Sequence, residues 1–272
     1  MDRNVILNDG RAMPRLGLGV WQAPAEVTAA VVEAAIVAGY RAIDTAHIYR
    51  NEAAVGEGVR ASGLAAEVFL TTKVWNDFQG YDETLRAFDG SLRRLGMESV
   101  DLYLIHWPMP RRDRYLATWR ALVKLRAEGR AKSIGVSNFG VEHLERIIGE
   151  TGAAPAVNQI ELHPRFHQAE MRAAAQRLGI VTTSWSPLGQ GGILSDPTVA
   201  AIAGKHHKSP AQVVIRWHLD LGLTVIPKSV HPARIVENFD VFDFALDAED
   251  LAAMARLDDP AGRIGPDPAG FG

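Results

Sequence analysis

The sequence predicts an α/β fold, a single (β/α)8 TIM barrel over residues 1–272 with an N-terminal β-hairpin and two extra helices. Short apolar segments alternate with longer amphipathic ones, and eight apolar segments follow the hairpin. These segments are almost continuously apolar, as is typical of parallel strands buried on both faces. Eight such units in 272 residues favour a closed barrel over an open sheet, and no stretch of linker composition divides the chain.

The elements follow in order from the N-terminus. Residues 5–19, VILNDGRAMPRLGLG, place an Asp-Gly turn between two apolar runs and predict the hairpin and the first barrel strand. The predicted barrel strands are residues 16–19, 42–44, 68–73, 100–106, 131–137, 156–160, 180–185 and 223–228. The predicted helices are residues 26–38, 52–61, 82–95, 115–128, 141–149, 169–178, 209–220, 231–238 and 247–257.

Several residues mark the ends of these helices. Gly39 and Gly96 directly follow helices, and Asp82 is the expected N-cap of helix 82–95. Ser209 begins the sequence S-P-A-Q, which predicts a capping box at the start of helix 209–220. The last residues, DDPAGRIGPDPAGFG, are rich in proline and glycine, so we expect them to be mobile or to become ordered on binding.

The composition limits the classes of function. The chain has 29 Lys and Arg residues against 32 Asp and Glu residues, so its charge does not favour nucleic acid or an anionic membrane as a partner. It has no cysteine, which excludes disulfides, thiolate catalysis and cysteine-ligated metals. No apolar run approaches the ~20 residues of a membrane span, and the N-terminal residues lack a signal-peptide pattern. We therefore expect a cytoplasmic protein.

Four polar residues fall where three successive predicted strands end. Asp44 ends the second strand, with Tyr49 in the loop after it, and Lys73 and His106 end the next two strands. Each has an ordinary explanation when taken alone, such as a solvated lysine or a histidine in a polar niche. Because the carboxyl ends of barrel strands meet at the rim that carries the active site, the four together predict a proton-transfer site.

The residue types suit proton donation to a carbonyl oxygen. A free tyrosine has a pKa of about 10, and an adjacent Lys73 ammonium would lower it. Asp44 would hold that ammonium in place, and a neutral His106 would donate a hydrogen bond to the substrate oxygen. The chain has no cysteine nucleophile and no serine on a nucleophile elbow, so the attacking group is expected to be a hydride from a cofactor.

Long stretches of the chain resemble the aldo-keto reductases. Residues 39–46, GYRAIDTA, with Glu52, Val55 and Gly56, fit one signature of that family, and IPKSVHPARIVEN at 226–238 fits a second. The strings SIGVSNF, VNQIELHP and SPLGQG are also similar to family members, so the resemblance covers nearly the whole chain. TTKVWND, LYLIHWP and SWSPLGQG are most similar to the bacterial 2,5-diketo-D-gluconate reductases.

The resemblance implies a barrel that reduces aldehydes and ketones, such as dicarbonyls, keto sugars or ketoacids, with NADPH bound in an extended form. It assigns Tyr49 as the general acid, with the other three residues in the roles given above. Twelve residues are implied to hold NADPH/NADP+: Ser137, Asn138 and Gln159 at the nicotinamide amide, Trp185 on its ring, Ser186, Leu188 and Gln190 along the pyrophosphate, Lys228, Ser229 and Arg234 around the 2′-phosphate, and Glu237 and Asn238 at the adenine.

A substrate pocket is expected around the catalytic residues. Trp21, Trp75 and Trp107 each follow a strand end on the same rim, and they would form an apolar wall beside His106. His47 is also predicted to line this pocket. Like Arg50, it stands where the family often has smaller residues, and the two either favour an anionic substrate or face solvent. Phe271, in the C-terminal segment, is placed to close over the pocket. The identity of the substrate stays open, and the resemblance suggests a monomer.

Two other functions are compatible with parts of the sequence. A Schiff-base aldolase would use Lys73 as its nucleophile, and a sensor or accessory barrel would bind NADPH with little turnover.

The GLGVWQ string at 17–22 lacks the third glycine of a dinucleotide-binding loop, and GQGG at 189–192 lacks the lysine of a phosphate loop. Pro164 interrupts the spacing of His163 and His167, so no metal site is expected.

Overall fold

The strands form a hairpin and an eight-stranded parallel sheet in a computed structural model that describes residues 2–271. The hairpin pairs β1 (Asn4–Ile6) with β2 (Ala12–Pro14) in antiparallel register. The sheet consists, in sequence order, of β3 (Leu18–Gly19), β4 (Ala42–Asp44), β5 (Phe69–Val74), β6 (Val100–Ile105), β7 (Ala131–Ser137), β8 (Val157–Glu161), β9 (Val181–Trp185) and β10 (Thr224–Val225).

The sheet closes on itself. Gly17 donates its backbone N–H to the carbonyl of Val225 at 2.9 Å, and Gly19 donates to Pro227 at 3.1 Å. These bonds join the segment of β3 to that of β10, so the first and last strands are neighbours and the sheet is a barrel. The predicted (β/α)8 barrel with its N-terminal hairpin is confirmed.

Helices surround the barrel and bury their apolar faces against it. Within residues 2–271 the α-helices are α1 (Ala25–Val37), α2 (Glu52–Ala61), α3 (Tyr81–Leu95), α4 (Tyr115–Ala127), α5 (Val141–Thr151), α6 (Ala169–Arg177), α7 (Pro197–His206), α8 (Pro210–Asp220), α9 (Pro232–Phe239) and α10 (Ala248–Ala255). Every helix in this range is too short or too polar to span a lipid bilayer.

Two details differ from the sequence-based expectation. Gly80, not Asp82, is the N-cap of α3, and Gly80 donates its N–H to the Thr118 hydroxyl at 2.8 Å, which fixes the earlier start. Helix α7 was not predicted, because it lies in a segment that begins with glycine-rich turns. Its signals are nevertheless ordinary: Asp196 accepts the N–H of Thr198 at 2.9 Å and Pro197 occupies the first position.

The hairpin closes the end of the barrel where the strands begin. Leu7 and Met13 are buried there against Phe69, Leu102 and Leu104. This apolar plug leaves the opposite end, at the carboxyl ends of the strands, as the rim open to ligands. The predicted capping box of Ser209 and Gln212 at α8 is also confirmed.

Candidate active site

A buried ion pair lies at the centre of the open rim. Asp44 ends β4 and Lys73 lies near the end of the adjacent β5, so the parallel register brings their side chains together. The Lys73 Nζ is 2.5 Å from the Asp44 Oδ1 and donates to the Thr45 carbonyl at 3.0 Å. Gln159 donates to the other Asp44 oxygen at 2.8 Å. The pair is therefore fixed by three strands.

Tyr49 and His106 lie beside this pair. The Lys73 Nζ is 5.1 Å from the centroid of the Tyr49 ring, and the Tyr49 and His106 rings meet edge to face with centroids 5.7 Å apart. Trp75 packs on His106 at 5.2 Å in the same manner. The fold thus brings together the four residues that the sequence analysis selected as catalytic candidates.

Burial dominates the pKa values of this group. Burial lowers the pKa of Lys73, although the charge of Asp44 and its hydrogen bond oppose that change. Burial, with the positive charge of Lys73, holds the pKa of His106 well below its usual value. The ring of His106 is therefore neutral near pH 7, as expected, and either of its nitrogens can carry the single N–H.

The pKa of Tyr49 moves in the opposite direction to the sequence-based expectation. Burial raises it well above its usual value, and the negative charge of Asp44 adds to the increase. Lys73 does not reverse this increase in the pKa of Tyr49, because Asp44 lies 2.5 Å from the Lys73 Nζ and offsets part of its charge. Tyr49 thus holds its proton firmly.

A cavity of about 420 Å³ opens directly above these residues. Trp21, Trp75, His106 and Trp107 line it, as predicted for a substrate pocket. His47 does not line it: Arg94 donates to the His47 Nδ1 at 2.6 Å, and the ring packs on Phe78. The assignment of His47 to the substrate pocket was therefore wrong, because this pairing turns the ring away from the cavity.

Arg50 also lies outside the cavity lining. Its side chain is exposed, and its backbone has φ 58° and ψ 22°, the left-handed conformation that glycine adopts most easily. The sequence analysis left open whether this residue meets an anionic substrate or solvent. The geometry favours solvent.

A second cavity of about 660 Å³ continues from the first toward the N-terminus of α9. The two share Trp21, Ser186, Pro187, Gln190 and Lys228. All twelve predicted cofactor residues line one cavity or the other. The first contains Ser137, Asn138, Gln159, Trp185, Ser186, Gln190 and Lys228, and the second contains Ser186, Leu188, Gln190, Lys228, Ser229, Arg234, Glu237 and Asn238.

This cleft fits an extended anionic cofactor. Among residues 2–271, neither Lys228 nor Arg234 has a carboxylate partner within ion-pair distance, so both positive charges are available to a phosphate group. Trp185 donates its indole N–H to the Asn138 side chain at 2.8 Å, which fixes the plane of the indole. Asn138 and Ser186 have φ values of 64° and 47°, a left-handed conformation that is uncommon for residues with a side chain and often occurs at functional sites.

Part of the cavity wall was not predicted from the sequence. Ile48 and Ile226 line it, as do Ile264, Gly265 and Pro266 from the C-terminal tail, defined here as residues 258–271. Phe271 packs on Trp107 with ring centroids 4.6 Å apart, so the tail covers the rim. Glu161, at the end of β8, accepts hydrogen bonds from the tail backbone. A carboxylate that ends a barrel strand was the signal that could have identified it.

The fold and site are those of a barrel oxidoreductase: an extended cleft that carries two unpaired cations continues from the cavity beside Tyr49 and His106. Comparison with known proteins agrees. The family described as Aldo/keto reductase matches residues 15–259. The chain therefore belongs to the aldo/keto reductase family, and it is an NADPH-dependent oxidoreductase that acts on carbonyl groups. The family match argues against the Schiff-base aldolase and the sensor without turnover.

Relatives match over almost their whole length. An aldo-keto reductase of Mycolicibacterium smegmatis (strain ATCC 700084 / mc(2)155) is 55% identical over 272 residues, which cover 100% of this chain and 98% of that protein. Methylglyoxal reductase DkgA of Escherichia coli (strain K12) is 49% identical over 269 residues, covering 98% and 97%. A crystal structure of a Gox0644 mutant in complex with NADPH has a TM-score of 0.97 at 53% identity, covering 100% and 99%. The predicted closeness to the 2,5-diketo-D-gluconate reductase group is confirmed.

Proposed function

We propose that this enzyme reduces small, uncharged carbonyl compounds and that Tyr49 donates the proton to the carbonyl oxygen. The observation that carries the proposal is the convergence of Tyr49, His106 and the Lys73–Asp44 pair beside the first cavity. NADPH, when bound, supplies the hydride that the carbonyl carbon accepts. The residues of the chain bind the carbonyl compound, orient it and deliver the proton.

Each of the four residues has a distinct role in this proposal. The neutral His106 ring donates a hydrogen bond to the carbonyl oxygen and so fixes its direction toward Tyr49. The phenol of Tyr49 keeps its proton until charge develops on that oxygen. Lys73, held by Asp44 at 2.5 Å, then stabilises the phenolate that remains. Trp21, Trp75 and Trp107 exclude water from the reacting atoms.

The cleft supports the cofactor assignments made from the sequence. We assign Ser137, Asn138 and Gln159 to the nicotinamide amide and the fixed indole of Trp185 to its ring. Ser186, Leu188 and Gln190 would follow the pyrophosphate, with Glu237 and Asn238 at the adenine. Lys228, Ser229 and Arg234 would hold the 2′-phosphate, and the two unpaired cations favour NADPH over NADH.

The charge of the cavity favours an uncharged substrate. Among the described residues that line the first cavity, Lys228 is the one cation, and it lies at the edge shared with the cofactor cleft. A ketoacid carboxylate would therefore lose its hydration without gaining a partner. A small dicarbonyl of the methylglyoxal type meets the apolar wall without this cost, and a relative in Escherichia coli is named for that substrate. Since NADPH is kept reduced in the cytoplasm, we place the enzyme there.

Replacement of Tyr49 by phenylalanine tests the proposal. We expect Tyr49→Phe to lower kcat for methylglyoxal by about 10²–10⁴-fold, because one positioned acid contributes that much. NADPH binding, followed by fluorescence titration, should be retained. Tyr81→Phe is the matched control, because Tyr81 is an exposed tyrosine at the start of α3.

The same assay tests the substrate class. Pyruvate, which carries a carboxylate on a similar skeleton, should be a poorer substrate than methylglyoxal by about tenfold or more in kcat/KM, because each 1.4 kcal/mol of lost transition-state binding is a factor of ten. Undiminished turnover by Tyr49→Phe would overturn the assignment of the acid. Equal use of pyruvate would overturn the uncharged class and leave the acid assignment intact.

A further inference from the structure

Hydrogen bonds attach the tail to the barrel at two places. Near its start, the Asp258 carboxylate accepts the backbone N–H of His167 at 2.8 Å, and Asp259 donates its N–H to the Arg165 carbonyl at 3.3 Å. Further along, the backbone N–H groups of Ile264 and Gly265 donate to the two oxygens of Glu161 at 2.5 and 2.8 Å. The second attachment depends on a single side chain.

Glu161 is well suited to hold this attachment. It ends β8, it is 1% exposed, and the His163 Nε2 lies 3.1 Å from its Oε1. Burial raises the pKa of Glu161, but the hydrogen bonds from His163, Ile264 and Gly265 outweigh burial and leave that pKa below its usual value. The side chain is therefore an ionised acceptor near pH 7, and charge-assisted bonds of this kind are stronger than neutral ones.

The attachment presses the tail against the residues of the catalytic cavity. A Cβ placed on Gly265 would lie 2.6 Å from the Trp185 Cη2 and 2.9 Å from the Glu161 Oε2, so the backbone of the tail fits closely between them. Ile264, Gly265 and Pro266 form part of the cavity lining. Glu161 of β8 is also the register partner of Trp185 in β9. Glu161 therefore contacts both the tail and the strand that carries Trp185.

We propose that Glu161 is a positioning residue that holds the tail as one wall of the carbonyl cavity and so determines the size of carbonyl compound that the enzyme prefers. This inference rests on the proposed function of that cavity. Small substrates need the wall, because it restricts them to the geometry in which the oxygen meets Tyr49. Bulky aromatic aldehydes are held by the tryptophans and depend on the wall less.

The first test measures the tail directly. Glu161→Gln keeps the shape of the side chain but replaces one acceptor oxygen with an NH₂ group that faces a backbone N–H. We expect hydrogen exchange at Ile264 and Gly265 to become faster by about tenfold or more, because bonds to a charged group are among the stronger ones. Trypsin cleavage after Arg263, whose side chain now packs on Phe166, should accelerate in parallel.

The second test measures selectivity. In Glu161→Gln, KM for methylglyoxal should rise by about tenfold while kcat changes by less than about threefold, because the lost interaction positions the substrate and does not donate the proton. For a bulky aromatic aldehyde, KM should change by less than about threefold. A residue with a purely structural role would change both substrates equally.

Two further variants complete the design. Gly265→Ala disturbs the same contact from the tail side. Because it changes no residue of the barrel, it keeps the proposal testable if Glu161→Gln fails to fold. Glu142→Gln is the matched control, because its exposed carboxylate borders the small cavity beneath the tail but accepts no hydrogen bond from the tail within residues 2–271.

Hydrogen exchange does not require turnover, so it separates this inference from the proposed function. Hydrogen exchange at positions 264 and 265 that stays as slow in Glu161→Gln and Gly265→Ala as in the wild type would overturn the role of Glu161. Faster exchange with an equal rise in KM for small and bulky substrates would show that the attachment is structural and would overturn its role in selectivity. Faster exchange with a selective rise in KM supports the proposal.

Discussion

At the residue scale, the site contains a buried charge whose desolvation is unfavourable, and an ion-pair partner offsets that free energy. Lys73 is fully buried, and Asp44 is its ion-pair partner. Removing one member of such a pair leaves an uncompensated charge, whereas replacing both by neutral groups is far less costly. A comparison of single and double replacements therefore distinguishes the contribution of the ion pair to stability from its contribution to catalysis.

We therefore expect Asp44→Asn and Lys73→Met each to lower the free energy of unfolding by about 3–5 kcal/mol. The double variant should recover much of that stability, because no buried charge remains, yet it should stay inactive. Urea unfolding and kcat measurements on the three variants check this. The exposed i,i+4 pair of Lys124 and Glu128 is the control, and Lys124→Met should cost less than about 0.5 kcal/mol. A double variant as unstable as the single ones would contradict this account.

The residue scale also shows where sequence reasoning was limited. Asp44, Tyr49, Lys73 and His106 were identified because residue type and position at strand ends suffice to select them. The predicted direction of the Tyr49 pKa shift was wrong, because the pKa depends on burial and on the negative charge of Asp44. His47 was misassigned because Arg94, which comes from α3, pairs with its ring.

At the element scale, glycines decide how closely two helices approach. Gly56 lies in α2, and a Cβ placed there would be 1.9 Å from the carbonyl oxygen of Leu95, the last residue of α3. That atom belongs to the backbone and cannot rotate away. The glycine of the first family signature thus has a packing role between two helices.

Gly56→Ala should accordingly destabilise the protein by about 3 kcal/mol, the upper end of the range for overpacking. Gly149→Ala is the control: Gly149 lies inside α5 with no atom within 4 Å of the added Cβ, so alanine should stabilise by roughly 0.5–1 kcal/mol. Thermal unfolding followed by circular dichroism measures both. Equal effects of the two substitutions would contradict the packing argument.

At the scale of the whole molecule, residues 2–271 hold three buried apolar clusters, two of which are joined and the third of which lies where the hairpin closes the barrel. The largest buried cluster runs from Leu16 to Val241, and a second cluster includes Ile160 and Met254. Met171, Leu188 and Phe244 pack against both clusters and join them. Because the largest cluster takes residues from almost the whole length of the barrel, we propose that the chain is one cooperative domain. From its likeness to the family, we also propose that it is a monomer.

Calorimetry checks this proposal. A monomeric single domain should unfold in one transition, with equal calorimetric and van't Hoff enthalpies and a midpoint that does not depend on protein concentration. Tryptophan fluorescence and circular dichroism should report the same midpoint. Two separate transitions would refute the single domain, and a midpoint that rises with concentration would refute the monomer.

The sequence by itself determined the barrel, the hairpin and the four polar residues at the strand ends. It did so because strand periodicity, turn residues and position at a strand end are local properties that tertiary contacts do not alter. The start of α3, the orientation of His47, the pKa of Tyr49 and the place of the tail were decided by the tertiary structure. Each depends on a contact between residues far apart in the sequence, as when Glu161 receives Ile264 and Gly265, and such contacts exist only once the barrel has closed.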